Sequence, residues 1–286
     1  MPSLIDIRRR IRSVKNTQQI TKAMKMVSAA KLRRAQDRVI ASRPYAAMLR
    51  KVLENVAAAV ADDEEAGKNP LLAHRPEQRI LLLLITSDKG LAGAFNANLI
   101  KGAQKFIAER TGASVRLELI GRKGRDFFRK RRAEISGEHV GLAAKVVYDD
   151  IAAIARQAMD LYTREEIDAV YVHYNEFKSV VAQKLTLTRI LPVEVRQREE
   201  RVDYLFEPEP AEMLNALLPR YVELEVYRAM LESTAAEHAA RMTAMEAATS
   251  NAGEMIDKLT LYMNRVRQAS ITKEIIEVVS GAASAE

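Results

Sequence analysis

Apolar residues recur at alternating steps of three and four at both ends of this chain. Leu4, Ile7, Ile11 and Val14 open the series, and Leu32, Ala35 and Val39 resume it in the same register. Near the other end Met242, Met245, Thr249, Ala252, Ile256, Leu259, Met263 and Val266 keep the same alternation. That spacing puts one stripe on each of two helices and asks each stripe for a helical partner. Gln18, Thr21, Lys25 and Ser28 fill the first register midway, while Ile20, Met24 and Val27 form a displaced apolar strip. The seam is expected to loosen or shift there.

Few residues break these patterns. The chain has 11 Gly and 8 Pro in 286 residues, and nine of the glycines fall between Gly67 and Gly141. Long uninterrupted helices are therefore expected outside the middle, with Pro44 predicted to kink or interrupt the first. The expected division is a helix over 1–61, a linker over 62–76 containing Asp62 to Glu65, Gly67 and Pro70, a globular unit over 77–208, and a helix over 209–286. Antiparallel pairing of unequal helices predicts that the last helix overhangs the first by ~18 Å. Ile271, Ile275, Ile276, Val278 and Val279 are apolar on more than one face of that overhang, so a surrounding surface is expected.

Within the middle, Arg79–Thr86 is apolar on both faces, as a central parallel strand covered by helices must be. Val115–Ile120, Ala169–Tyr174 and Lys184–Leu191 are further strand candidates, alternating with helical stretches at Asn98–Glu109, Gly124–Arg131 and Asp149–Tyr162. The predicted class is mixed α+β and α/β: a long antiparallel coiled coil of the N- and C-terminal helices plus a small Rossmann-like doubly wound α/β domain.

Charge is concentrated in the first helix. Residues 1–60 hold 14 Lys or Arg against Asp6, Asp37 and Glu54, a balance of +11, while the rest of the chain is at −4. Such a stripe attracts an acidic partner, whether nucleic acid, an anionic membrane surface or an acidic protein face. Bases stack on aromatic rings, and Tyr45 is the only aromatic residue before Phe95, which weighs against single-stranded nucleic acid.

Catalytic signals are absent. The turn Thr86–Gly93 follows the first strand but lacks both the G-x-x-x-x-G-K-[ST] and G-x-G-x-x-G spacings, so it reads as an ordinary turn, as does Gly121–Gly124. His74, His139, His173 and His238 form no i, i+4 pair for a metal, and no G-x-S-x-G elbow supplies a nucleophile. With no cysteine, disulfides, thiolate catalysis and Cys-based metal sites are removed together. Met242 and Met245 read as core filling, and Tyr204, Leu205 and Phe206 as an aromatic cluster suited either to docking or to plugging the core at a strand end. No apolar run approaches the ~20 residues needed to span a bilayer, and the first residues lack a signal-peptide core, so an intracellular location is expected.

Ser13–Val27 and Arg267–Glu277 closely resemble the two signature ends of the gamma subunit of bacterial F-type ATP synthases, with further matches at Ala41–Ala46, Thr86–Leu91 and Asp203–Pro208. The resemblance implies a central rotor stalk whose coiled coil enters a hexamer of alternating alpha and beta subunits, with the α/β domain on a membrane ring of c subunits. It implies one copy per complex, a peripheral position on the cytoplasmic face of the inner membrane, contact with the small epsilon subunit, and catalytic residues that belong to beta. Carried over by motif, Arg8, Arg9, Lys15, Lys22, Met24 and Lys25 would face the acidic beta levers. Lys25 stands where some relatives carry an acidic residue. Arg267, Gln268, Thr272, Ile275, Ile276 and Val279 would meet a beta catch loop and tip bearing, and Arg43, Tyr45, Tyr204, Leu205, Phe206 and Glu207 would lie near the c-ring and epsilon. No cofactor or metal is implied, and the redox insert of chloroplast forms is missing. The alternatives are a basic coiled-coil nucleic-acid binder and an α/β enzyme with helical arms. A nucleic-acid binder would lose affinity steeply with salt, and an enzyme would turn over nucleotide alone.

Overall fold

The computed structural model describes residues 3–60, 69–131, 133–194 and 207–283. Two helices dominate the chain, α1 (Leu4–Ala59) and α5 (Pro210–Ala283). Between them lie β1 (Arg79–Ile85), α2 (Phe95–Glu109), β2 (Ser114–Ile120), α3 (Arg122–Arg129), β3 (Ile135–His139), α4 (Tyr148–Thr163), β4 (Ala169–Phe177) and β5 (Gln183–Leu191). The chain falls into two compact units, one of residues 1–28 with 242–286 and the other of residues 29–241, with both breaks inside the long helices.

The second unit is built on a five-stranded sheet in the order β3-β2-β1-β4-β5. β1 pairs in parallel with both β2 and β4, and Ile80 to Ile85 are all buried, as expected of a central strand. β5 runs antiparallel to β4 and forms one edge. Right-handed crossovers put α2 and α3 on one face of the sheet and α4 on the other. β3 was not expected from sequence. Its residues, Ile-Ser-Gly-Glu-His, carry little apolar signal, and it is held by pairing with β2 and by Arg129 against Glu138.

Of the two outcomes expected at Pro44, a kink or an interruption, the interruption does not occur, and α1 runs through the proline. A proline removes one backbone donor from the ladder, yet Val39 is 2% exposed and Leu49 7%, so the helix is packed on both sides of it. Tertiary packing outweighs the local cost. The start of α1 is capped by Ser3: its Oγ accepts from Asp6 N at 3.2 Å and donates to Asp6 Oδ2 at 2.8 Å. The Ser3 hydroxyl bond, and then the Ser3 backbone N–H donating to the same oxygen at 3.3 Å, hold the Asp6 carboxyl below its ordinary pKa. Of the expected linker, residues 62–68 lie outside the described residues, while Leu71 is buried and its carbonyl accepts from Val193 N at 2.9 Å.

Within the second unit α5 is buried almost all round from Val222 to Glu237. A helix so placed should be apolar, but it carries Glu223, Glu225, Glu232 and Glu237. Each has a cation: Arg156 lies 2.6 Å from Glu223, Arg50 on α1 3.2 Å and Arg228 2.6 Å from Glu225, Arg228 3.8 Å from Glu232, and Arg241 2.6 Å from Glu237. Buried charges are tolerated only when paired in this way, and the two pairs that reach other helices, Arg156 with Glu223 and Arg50 with Glu225, favour one rotation of α5 about its axis.

Candidate interaction surfaces

In the first unit the two helices run antiparallel, and the expected seam is present position for position. Ile7, Thr21, Ser28, Met245 and Ala252 are buried, and the remaining seam residues are half-buried. Midway the seam is polar. Gln18 Nε2 donates to the Thr249 carbonyl at 3.4 Å, Thr21 Oγ1 lies 2.8 Å from Thr249 Oγ1, and Lys25 Nζ lies 2.6 Å from Glu246 Oε1. Polar pairs at seam positions fix register at some cost in stability. The same register sets Leu4 opposite Arg267, so that α5 continues for about 16 residues, roughly 24 Å, without a facing residue on α1. That is somewhat longer than sequence alone indicated.

The predicted beta-facing residues sort into two kinds. Arg8, Arg9, Lys15 and Lys22 are exposed, and Met24 is half-buried beside the seam. Lys25 instead points across to Glu246 and is part of the helix pair. Ile20, Met26 and Val27 are exposed large apolar side chains on the same stretch. Met26 was not singled out from sequence, although its adjacency to the displaced strip was a usable signal. Contiguous exposed apolar surface next to a basic stripe marks a protein-binding face.

Arg267, Gln268 and Thr272 are exposed on α5, with Thr272 Oγ1 donating to the Gln268 carbonyl at 2.9 Å. Ile271, Ile275, Ile276, Val278 and Val279 are all exposed, on every side of the helix. Leu261 and Tyr262 extend this apolar surface back toward the seam.

Arg43 and Tyr45 are exposed on α1 in the second unit, and Glu207 is exposed ahead of α5. Tyr204, Leu205 and Phe206 lie outside the described residues. Nearby, Tyr148 Oη donates to Glu223 Oε2 at 2.7 Å and stacks edge-on against Tyr227. Burial first, then the bond to Glu223, pushes the Tyr148 phenol up to about 12.

The carboxyl ends of the strands, where a doubly wound sheet ordinarily takes its ligand, are filled by the chain itself. Ser233 of α5 lies 3.5 Å from the Ile85 carbonyl, and the Arg241 guanidinium reaches the carbonyls of Lys89 and Gly90 at 3.3 Å. Gly121–Gly124, expected as a turn, opens α3: Gly121 adopts φ 97° and the helix starts at Arg122. Its first backbone donors are taken from within, because Asp88 Oδ1 accepts from Arg122 N at 3.1 Å and Thr86 Oγ1 from Gly124 N at 2.9 Å. Those backbone donors are therefore not free to hold an anion at that helix start. Among the described residues no three His, Asp or Glu side chains converge as a metal site. His173 is buried and its pKa is lowered, chiefly by that burial, so it is neutral.

A family model described as ATP synthase matches residues 3–285. The ATP synthase gamma chain of Solibacter usitatus is 75% identical over 286 residues, covering all of both chains. That of Desulfitobacterium hafniense is 50% identical, again over the full length of both. Among solved structures, a chain of the central stalk and c-ring of the Tetrahymena thermophila mitochondrial ATP synthase matches 80% of this chain and 99% of its own length, with a TM-score of 0.61 and 28% identity. A chain of the Euglena gracilis mitochondrial ATP synthase shares the fold over 98% of this chain and 94% of its own, with a TM-score of 0.69 and 19% identity. These relatives lend nothing to the nucleic-acid alternative. Matched along its whole length by gamma chains, the chain belongs to the ATP synthase gamma chain family.

Proposed function

We propose that the chain is the central rotor shaft of an F-type ATP synthase, carrying torque between a proton-driven c-ring and the catalytic alpha/beta hexamer, with no turnover of its own. The observation that carries this reading is the antiparallel pair in which Thr21 meets Thr249 and beyond which α5 runs on with apolar residues uncovered by its own chain. A helix end of that composition is stable in water only when another surface takes it up, and the hexamer's central cavity is such a surface.

In this reading the shaft works as an asymmetric cam. Its angle presents different contacts to each beta subunit and so biases the three sites toward different nucleotide affinities, which is coupling through differential contact free energy. Arg8, Arg9, Lys15, Lys22 and Met24 face the beta levers, and Lys25 contributes by holding the pair together. Arg267, Gln268 and Thr272 meet the catch loop, Ile275, Ile276 and Val279 run in the bearing, and Arg43, Tyr45 and Glu207 lie toward epsilon and the c-ring. Solvated charge pairs suit a part that must break its contacts at each step, because they are shallow and screened. The subunit sits peripherally on the cytoplasmic face of the membrane, one copy per complex. No helix among the described residues is long and apolar enough to cross a membrane.

The test is reconstitution. Purified chain, alpha and beta are assayed for steady-state ATP hydrolysis singly and together. Turnover is expected only when the chain joins alpha and beta. Hydrolysis by the chain alone, or failure to assemble, contradicts the proposal.

A further inference from the structure

A cleft of about 240 Å³ opens in the second unit between α1, the turn after β1, the short helical turn Leu142–Ala144 and α5. Its floor is apolar, with Ala35, Val146 and Leu231, and its walls are basic. Lys31, Arg34 and Arg38 stand on one face of α1 at steps of three and four, and Lys89 comes from the opposite turn. Like charges at that spacing oppose helix formation.

The two carboxylates in the cleft are bonded to other groups, although the Lys31 charge also acts on Glu237. Glu237 Oε1 accepts from Arg241 Nη2 at 2.6 Å. Asp88 is engaged by the backbone donors of Arg122 and Gly141, each at 3.1 Å. Among the described residues Lys31, Arg34, Arg38 and Lys89 have no ion pair. The positive field registers on His238, whose pKa is lowered to about 4, by burial first and then by Arg241 and Lys31.

We propose that this cleft binds a small phosphoryl anion, of the class of pyrophosphate or a nucleoside diphosphate, between Arg34 and Arg38 of α1 and Lys89 of the facing turn. Two guanidinium forks one helical turn apart suit the several oxygens of a phosphoryl group. The concave, partly apolar shape suits a compact ligand. The site is separate from the surfaces assigned to the rotor, so its loss leaves the stalk reading intact.

Titration calorimetry on the full chain, without magnesium and at low salt, tests this with pyrophosphate and ADP as separate probes. Saturable one-to-one binding of at least one probe is expected, weakened at least about tenfold in Arg34→Gln/Arg38→Gln. The conservative Arg34→Lys/Arg38→Lys variant should keep measurable binding, and circular dichroism shows whether each variant is folded. Lys101→Gln/Lys105→Gln, which removes as much charge from α2, should bind as the parent does. Pyrophosphate bound as tightly as ADP shows that the phosphoryl group alone is recognised; tighter ADP shows that the nucleoside also reaches the apolar floor. No saturation by either probe up to about 10 mM, or equal weakening in the α2 control, overturns the proposal.

Discussion

Thr21 Oγ1 and Thr249 Oγ1 lie 2.8 Å apart across the helix pair, joining residues separated by 228 positions. Each hydroxyl also has a carbonyl on its own helix within reach, Gln18 at 3.0 Å and Met245 at 2.7 Å. Only one of the two protons can bridge the pair at a time. Replacing either threonine by valine leaves the other hydroxyl half-used in a partly buried seam, at a cost of about 1 kcal/mol. The double valine replacement removes both polar groups and should cost less than the sum of the singles. Urea unfolding of the four chains measures the coupling, and strict additivity would show that the contact carries no energy.

Gly253 faces Gln18 across the same seam, and a methyl placed on it would meet Gln18 Nε2 at 3.2 Å. That atom ends a flexible side chain and can yield. Gly253→Ala should therefore stabilise the helix by about 0.5–1 kcal/mol, the ordinary gain of removing a mid-helix glycine. Gly253→Leu should lower the unfolding midpoint, because a branched side chain forces the helices apart. If both changes stabilise equally, close approach at this position is not what the glycine provides.

Removing the residues after Ser270 deletes apolar side chains that are 48–72% exposed. The thermal midpoint of the isolated chain should stay within a degree or two, as for other surface changes of under about 0.5 kcal/mol. In the mixture with alpha and beta, the same truncation should reduce ATP turnover without abolishing it. A large fall in the isolated chain's stability would mean that the tip is packed internally.

The Asp168 carboxylate accepts from Gln78 N at 3.2 Å, Arg79 N at 2.8 Å and Arg79 Nη2 at 2.7 Å. The Arg79 side chain is the main cause of its lowered pKa. A carboxyl whose pKa falls on folding adds stability above its unfolded value of about 3.9, and that stability is lost as pH drops through the folded value. Asp168→Asn should cost about 2 kcal/mol near neutral pH. The difference from the parent should shrink as pH falls from about 3.9 through the lowered folded value, below which both side chains are uncharged. A difference that holds constant with pH would rule out the ionic contribution.

The seams of α1 and α5 were legible because their period is written in the residues themselves, down to the polar interruption at Gln18, Thr21 and Lys25. β1 was legible for the same reason. β3 was not, since an edge strand of Ile-Ser-Gly-Glu-His owes its conformation to β2. That α1 runs on without a break at Pro44 was not legible, because the proline's penalty is local while the burial of Val39 and Leu49 comes from the fold. Asp88 at the start of α3 was also hidden: only the fold brings residue 88 to residue 122. The partner-facing cations could be listed from sequence, but the diversion of Lys25 to Glu246 needed the helix register.

The absence of cysteine permits one unique label on an otherwise native chain. Val181, exposed between β4 and β5, can be replaced by cysteine, biotinylated and fitted with a bead, with the alpha/beta hexamer fixed to a surface. On adding ATP, the bead should turn continuously in one direction and stop when ATP is withdrawn. Beads that only fluctuate about a fixed angle while the same complexes hydrolyse ATP would contradict the claim that this chain is a rotating shaft.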